Sequence, residues 1–218
     1  MAVTPRHPFD PLAAHYWWLE AVTFGPLLQW CRTAHLGWLA DRRQALVVGD
    51  GDGRFLAALV RAYPGLAVDA LDVSPGMTAR SRRRVCRLPG AGRVRFVVAD
   101  IRTAPLPAGG YDLIVTHFLL DCFPADELAA VVARLAAAAR PGARWLVGDF
   151  AVPPGRWRGR AARLALAGMY AVFRAVAGLR AAELIDPAPL LAGRGFVPTA
   201  DATRLGGFLR SRVWDRAE

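Results

Sequence analysis

Along most of this chain, short apolar runs alternate with stretches of helical period. Ala45 to Val48 is an unbroken apolar run ending at Gly49, the pattern of a strand buried on both faces. Arg54 to Ala62 reads as a helix. Ala67 to Leu71 is a second strand, ending at Asp72, and Pro75 to Arg87 a second helix. Val94 to Ala99 forms a third strand, ending at Asp100, and Tyr111 to Thr116 a fourth. Ala125 to Ala139 is helical and closed by Pro141-Gly142, and Arg144 to Asp149 is a fifth strand. This order predicts a parallel sheet with helices on both faces.

The two ends depart from the alternation. Asp10-Pro11 offers an N-cap with proline at the first helical position, so a helix is expected over Leu12 to Thr23. Gly25-Pro26 breaks it, and a second helix follows over Leu27 to Leu39. Four of the seven tryptophans (Trp17, Trp18, Trp30, Trp38) lie in this region. After the fifth strand, Pro153-Pro154-Gly155 precedes one long helix over Trp157 to Leu179. At helical spacing Arg156, Arg160, Arg163, Tyr170 and Arg174 share one face, while Leu166, Met169, Val172, Phe173 and Val176 share the opposite one. The tail reads as a short helix, Pro187 to Gly193, and a closing hairpin of two strands, Phe196 to Arg204 and Gly207 to Trp214.

Composition narrows the chemistry. The 218 residues are 54% hydrophobic and 21% charged, a globular balance with enough chain for its own core. All 28 basic residues are arginine; against 18 acids they give a net charge of +10, and the chain has no lysine and no asparagine. Without lysine, a Walker A loop, Schiff-base chemistry and the Tyr-x-x-x-Lys pair of short-chain dehydrogenases are excluded. Cys31, Cys86 and Cys122 are widely spaced and form no CxxC pair. That supports neither a disulfide framework nor a zinc ribbon, and it fits a reducing cytosol. Met1 to Asp10 lacks the apolar stretch of a signal peptide. The longest apolar candidate, Leu164 to Phe173, has ten residues between two arginines, too few to cross a bilayer. A cytoplasmic location is the expectation.

The segment that carries chemistry is Gly49-Asp50-Gly51-Asp52-Gly53, between the first strand and its helix. Alternate glycines let backbone approach a ligand closely, and the following helix turns its first N–H groups toward it. Asp72 lies 19 residues past Gly53, at the next strand end, where a carboxylate can accept both hydroxyls of a ribose. Asp100 lies 28 residues further, at the third strand end, where it can accept from an adenine amino group. Three consecutive strand ends thus suit a nucleoside, bound outside the carboxyl edge of the sheet. The dinucleotide fingerprint G-x-G-x-x-G needs glycine at position 54, where Arg54 stands.

As a set these segments resemble the class I S-adenosylmethionine-dependent methyltransferases. Gly49-x-Gly51-x-Gly53 matches the glycine loop, Leu71-Asp72-Val73-Ser74-Pro75-Gly76-Met77 the ribose segment, and Ala99-Asp100-Ile101 the adenine segment. Tyr111-Asp112 to Thr116 matches the fourth strand, and Arg140-Pro141-Gly142-Ala143-Arg144 the turn before the fifth. Phe9-Asp10 to Tyr16 is similar to the opening of the ubiquinone/menaquinone-biosynthesis C-methyltransferases. The resemblance spans roughly residues 9–150. It implies a Rossmann-like α/β fold with a doubly wound, seven-stranded, mostly parallel sheet. The expected domain is single: an N-terminal helical cap (1–44), a cofactor-binding core (45–150), an inserted lid helix (153–180), and a C-terminal helix with hairpin (181–218). S-adenosylmethionine is the implied cofactor. Gly49, Gly51 and Gly53 would cradle its methionine part, and Asp72 and Val73 would lie at its ribose. Met77 and Ile101 would flank the adenine, Asp100 would hold the adenine amino group, and Thr116 and His117 would sit beside the sulfonium. Two positions depart from the family. Val47 stands where an acid often helps hold the cofactor's amino group, and Asp50, where Cys is common, is the candidate substitute. Asp121-Cys122 replaces a His-His pair.

Methyl transfer is an in-line displacement from an activated electrophile, so positioning and exclusion of water carry most of the catalysis. A base is needed only where the acceptor atom must lose a proton. His117, Asp121 and Tyr16 are the candidates, with His15 beside them. The acceptor pocket is expected from residues 9–40 and 153–180, whose aromatic and apolar content suits a small apolar or amphipathic acceptor, quinone-like or lipid-like. The arginine face of the long helix suggests peripheral contact with an anionic membrane surface. A second basic cluster, Arg80, Arg82, Arg83, Arg84, Arg87, Arg93 and Arg95, supports the alternative of an RNA methyltransferase. No RNA-binding domain is appended, so nucleic acid is not the favoured partner. A protein that binds S-adenosylmethionine without transferring its methyl group is the remaining alternative.

Overall fold

The computed structural model describes residues 25–177, 180–181 and 183–217. The helix expected over Leu12 to Thr23 lies outside the described residues, and with it His15, Tyr16, Trp17 and Trp18. One seven-stranded sheet organises the rest. Its strands are β1 (Gln44–Val48), β2 (Ala67–Asp72), β3 (Val94–Val98), β4 (Tyr111–His117), β5 (Ala139–Phe150), β6 (Phe196–Arg204) and β7 (Leu209–Arg216). Their spatial order is β3-β2-β1-β4-β5-β7-β6. Strands β1 to β5 pair in parallel, while β7 runs antiparallel to both β5 and β6. The expected closing hairpin is therefore present. Its turn, Leu205–Gly207, holds Gly206 at φ 63° and Gly207 at φ 101°, conformations that favour glycine.

Helices cover both faces: α1 (Gly25–Thr33), α2 (Arg54–Ala62), α3 (Pro75–Val85), α4 (Ala125–Ala138), α5 (Arg156–Ala177) and α6 (Ala188–Ala192). Alternation along the strands builds the two layers. Leu46, Val48, Ile114, Trp145 and Val147 pack with α4 and α6, whereas Val47, Leu113, Val115, Leu146 and Val213 pack with α2. Helix α2 buries Phe55, Leu56, Leu59 and Val60, residues at helical spacing. Helix α3 begins where Ser74 accepts from the Met77 amide at 3.2 Å, with Pro75 at the first turn.

Three local expectations change. The helix expected over Leu27 to Leu39 ends at Thr33, and a separate 3-10 turn covers Leu36–Leu39. The Thr33 hydroxyl donates back to the Gln29 carbonyl at 2.9 Å, a bond that competes with the helical ladder. Strand β5 starts at Ala139 rather than Arg144, because Ala139 pairs with Tyr111 across a register shift. On α5, Tyr170 belongs to the buried face with Ala162 and Leu166, while Val172 is 49% exposed. The buried stripe is thus rotated toward the arginines relative to the expected one, since the phenol body packs and only its polar tip needs a partner.

The chain runs outward from β1 to β3 and then crosses back to β4, so the strand order reverses between β1 and β4. Ligands of doubly wound sheets bind at such a switch point, beyond the carboxyl ends of the strands.

Candidate active site

The loop after β1 meets this switch point. Gly49, Gly51 and Gly53 adopt φ of 68°, 61° and 84°. Their surroundings differ. A Cβ at Gly53 would lie 2.4 Å from Ser81 Oγ and 2.7 Å from Ser81 Cα, so this glycine lets α2 and α3 approach each other. A Cβ at Gly49 would meet Leu119 at 2.7 Å. At Gly51 the nearest atom is Met77 Sδ at 4.0 Å, so this glycine keeps open space on the loop. Asp50 is fixed through Oδ2, which accepts from the Leu56 amide at 2.9 Å; its Oδ1 is buried and has no hydrogen-bond partner. Burial pushes this carboxyl up to about 7, opposed by the charge of Arg32 on α1.

Asp72 ends β2 and spans two turns. Its Oδ2 accepts from the Gly51 amide at 3.2 Å and its Oδ1 from the Ser74 amide at 2.9 Å. Val73 follows it, half-buried, and Met77 is buried on α3. A small cleft is lined by Asp50, Gly51 and Asp72, with Thr78 and Ser81 of α3. Asp100 is held by Arg102, whose guanidinium contacts Oδ1 at 3.0 Å and Oδ2 at 2.6 Å and reaches Glu127 at 3.0 Å. Ile101 is buried in the core layer shared with α4.

The ends of β4 and β5 carry a second group. Thr116 is fully buried and accepts from Trp145 Nε1 at 2.9 Å, so its hydroxyl serves the core. His117 is buried edge-on to Phe55, with ring centres 4.6 Å apart, and neither ring nitrogen has a partner. Burial, aided by the charge of Arg32, pulls this imidazole down to about 3, so it is neutral. It points to the α2 layer, whereas Asp121 and Asp149 lie together near Tyr170. Asp121 sits in the 3-10 turn Leu120–Cys122, its carbonyl accepts from the Tyr170 hydroxyl at 3.4 Å, and its Oδ1 receives the Cys122 thiol at 3.6 Å. The Asp121 and Asp149 carboxyls are close enough to influence each other's titration. Burial and the neighbouring Asp121 push Asp149 well up. Asp121 is raised to about 6, chiefly by burial. Phe150, next in the chain to Asp149, is the middle of an aromatic row: Phe118 to Phe150 at 5.3 Å and Phe150 to Phe208 at 5.4 Å between ring centres. Phe118 adopts φ 53°, a strained conformation for a side chain of its size, at the site's edge.

The loop geometry fits a nucleoside with a zwitterionic tail. Gly51 leaves room above Met77, Asp72 is pre-positioned by two amides, and Asp50 and Arg32 lie beside the loop. Residues 45–142 match the family model described as a methyltransferase domain. Demethylmenaquinone methyltransferase of Thermus thermophilus is 31% identical over 148 residues, 67% of this chain and 66% of that protein. The chain belongs to the class I S-adenosylmethionine-dependent methyltransferases. Trans-aconitate 2-methyltransferase of Methylobacterium nodulans is 36% identical over 104 residues, 48% of this chain and 37% of that enzyme. This methyltransferase chain thus spans well under two thirds of that relative's length. An O-methyltransferase family protein from Burkholderia thailandensis superposes with a TM-score of 0.73 at 18% identity, covering 94% of this chain and 60% of the other, a likeness of fold.

Sequence reasoning missed three residues that the structure places beside the predicted ones. Asp149 reads as an ordinary strand end, Tyr170 as part of an arginine face, and Arg32 as one arginine among 28. The expected basic cluster on α3 and β3 is partly consumed by the fold. Arg84 binds Asp52 at 2.7 Å, Arg95 binds Asp69 at 2.6 Å, and Arg82 stacks on Phe96.

Proposed function

We propose that this protein transfers a methyl group from S-adenosylmethionine to a small apolar or amphipathic acceptor, quinone-like or lipid-like, with peripheral contact to an anionic membrane surface. The observation that carries the reading is the aromatic row Phe118, Phe150 and Phe208 beside Tyr170, whose hydroxyl reaches the buried Asp121, with Leu119 seated against Gly49 of the cofactor loop. The aromatic row offers an apolar wall to the acceptor, and the Asp121–Asp149 pair offers a place for a proton.

When bound, S-adenosylmethionine supplies an electrophilic methyl group on a sulfonium. Gly49, Gly51 and Gly53 cradle its methionine part, Asp50 and Arg32 face its ammonium and carboxylate, Asp72 and Val73 meet the ribose, and Met77 and Ile101 flank the adenine. Asp100, held by Arg102, lies at the adenine amino group. Phe118, Phe150 and Phe208 orient the acceptor and exclude water. For an acceptor atom that must lose a proton, Asp121 receives it, with Asp149 beside it. His117 is a neutral neighbour of the loop rather than the base, and Tyr16 lies outside the described residues.

Calorimetric titration with S-adenosylhomocysteine, followed by acceptor screening with quinones and amphipathic lipids, tests this reading. Micromolar binding and methylation of an apolar acceptor are expected. Absence of cofactor binding by folded protein would overturn it, and methylation of RNA alone would move the function to the alternative.

A further inference from the structure

Helix α5 has two apolar faces. The inner one buries Ala162, Leu166 and Tyr170, and the last two pack with Phe150, Val152 and Phe208 beside the candidate active site. The outer one is also apolar. Trp157, Ala161, Leu164, Gly168 and Val172 follow one another at helical spacing, and all are exposed. Trp157 is 76% and Leu164 75% exposed, large values for residues of this size. Arg156, Arg158, Arg160, Arg163 and Arg174 are exposed along the same helix, and none forms an ion pair among the described residues. From Phe150 to Ala182 the chain holds six arginines and no acid, which is more than half of its net charge of +10.

We infer that α5 is a membrane-docking helix, whose outer face lies on an anionic lipid surface while its inner face roofs the acceptor pocket. An interfacial helix needs an apolar strip to enter the headgroup boundary and cations beside it to meet lipid phosphates. Helix α5 has both, with tryptophan, an interface-favouring residue, at its start. Its 22 residues reach about 33 Å at 1.5 Å per residue, and no described helix is long and apolar enough to cross a membrane, so it lies on the surface.

Charge separates this occupant from the others. A second copy of the chain would bring two acid-free arginine sets together, a like-charge contact. RNA would satisfy the arginines, but Leu164 and Val172 offer no ring for a base to stack on. A lipid surface satisfies both the cations and the aliphatic strip. The geometry also gives the docking a use, which rests on the acceptor class proposed above: the helix that touches lipid is the one that touches Phe150 and Asp121.

The test is vesicle sedimentation of the purified protein, without cofactor or acceptor. Vesicles are phosphatidylcholine alone, or phosphatidylcholine with an equal part of phosphatidylglycerol. Binding to the anionic vesicles only is expected. The double variant Trp157→Ala/Leu164→Ala should lower partitioning by about tenfold or more. Arg160→Gln/Arg163→Gln should weaken it at low salt, with the difference from the wild type shrinking as salt rises, because exposed charges are screened. S-adenosylhomocysteine affinity should be unchanged in both variants, which establishes that they are folded. Failure of the wild type to sediment with anionic vesicles would overturn the inference, as would binding that the Trp157/Leu164 variant retains in full. So would a dimer in lipid-free buffer that the same variant splits, or binding to RNA without binding to vesicles. Vesicle binding by a protein that fails to bind S-adenosylhomocysteine would sustain the docking face while removing the cofactor reading.

Discussion

The Gly51 amide donates to Asp72 Oδ2 at 3.2 Å, joining the loop after β1 to the end of β2. The bond fixes the carboxylate before any ligand arrives, and the Ser74 amide holds its other oxygen. Asp72→Ala should therefore lose both the ribose contact and a loop tether. Removing a charged hydrogen-bond partner costs about 1.5–3 kcal/mol, or roughly ten- to a hundredfold in affinity. Calorimetry with S-adenosylhomocysteine checks this, with Asp72→Asn expected between the two. Undiminished affinity in Asp72→Ala would detach this residue from the cofactor.

Two glycines of the same loop should fail in different ways. Gly53→Ala places a methyl 2.7 Å from Ser81 Cα at φ 84°. Left-handed strain and overpacking together should cost about 2–4 kcal/mol of folding stability. Gly51→Ala carries the strain alone, since its Cβ meets only Met77 Sδ at 4.0 Å. It should cost about 1–2 kcal/mol in denaturant unfolding and show its larger effect on cofactor affinity. The reverse ranking would mean that Gly51 guards packing rather than ligand space.

Much of this arrangement is legible in the chain itself. Gly49, Gly51, Gly53, Asp72 and Asp100 stand where apolar runs end, and period fixes where strands end, so their convergence on one sheet edge follows from topology. Asp149 is different. Its own segment shows only a strand end, and its meaning comes from β5 lying beside β4, which brings it to Asp121. Tyr170 misleads for a related reason. Counted by its hydroxyl it joins the arginines, but its ring packs with Leu166 and its oxygen finds the Asp121 carbonyl. Thr116 is similar: strand position alone does not reveal that Trp145 occupies its hydroxyl.

His117 carries a pH signature. Its folded value is drawn down to about 3 from an ordinary 6.5, so the unfolded chain binds the proton first. Stability from this site is full above about pH 6.5 and is lost as pH falls toward 3. His117→Leu removes the titration and two unpartnered buried nitrogens, at the loss of the edge contact with Phe55. The variant should be within about 1–2 kcal/mol of the wild type at neutral pH and gain on it by roughly 3 kcal/mol by pH 4. Urea melts over that range decide the matter. Parallel pH curves for the two proteins would mean that the imidazole is not buried neutral.

The carboxyl pair behaves with the opposite sign. Asp121 is raised to about 6 from 3.8, so the folded protein holds a proton that the unfolded chain releases. Its contribution therefore falls as pH climbs from about 4 to 6 and stays unfavourable above that. Asp121→Asn keeps the shape and removes the charge. It should be more stable than the wild type at pH 8 by about 1–3 kcal/mol, and the difference should vanish near pH 4. In turnover the same variant should lose at least about tenfold in kcat for an acceptor that must shed a proton, with S-adenosylhomocysteine affinity retained. An acceptor methylated at a lone pair already free should escape that loss. The stability arm can be read without knowing the acceptor, so the two arms separate a buried carboxylate that merely costs stability from one that serves the reaction. A variant that is stabilised at pH 8 and still transfers at full rate to a protonated acceptor would leave the pair as a strained part of the fold and return the search for the base to Tyr16.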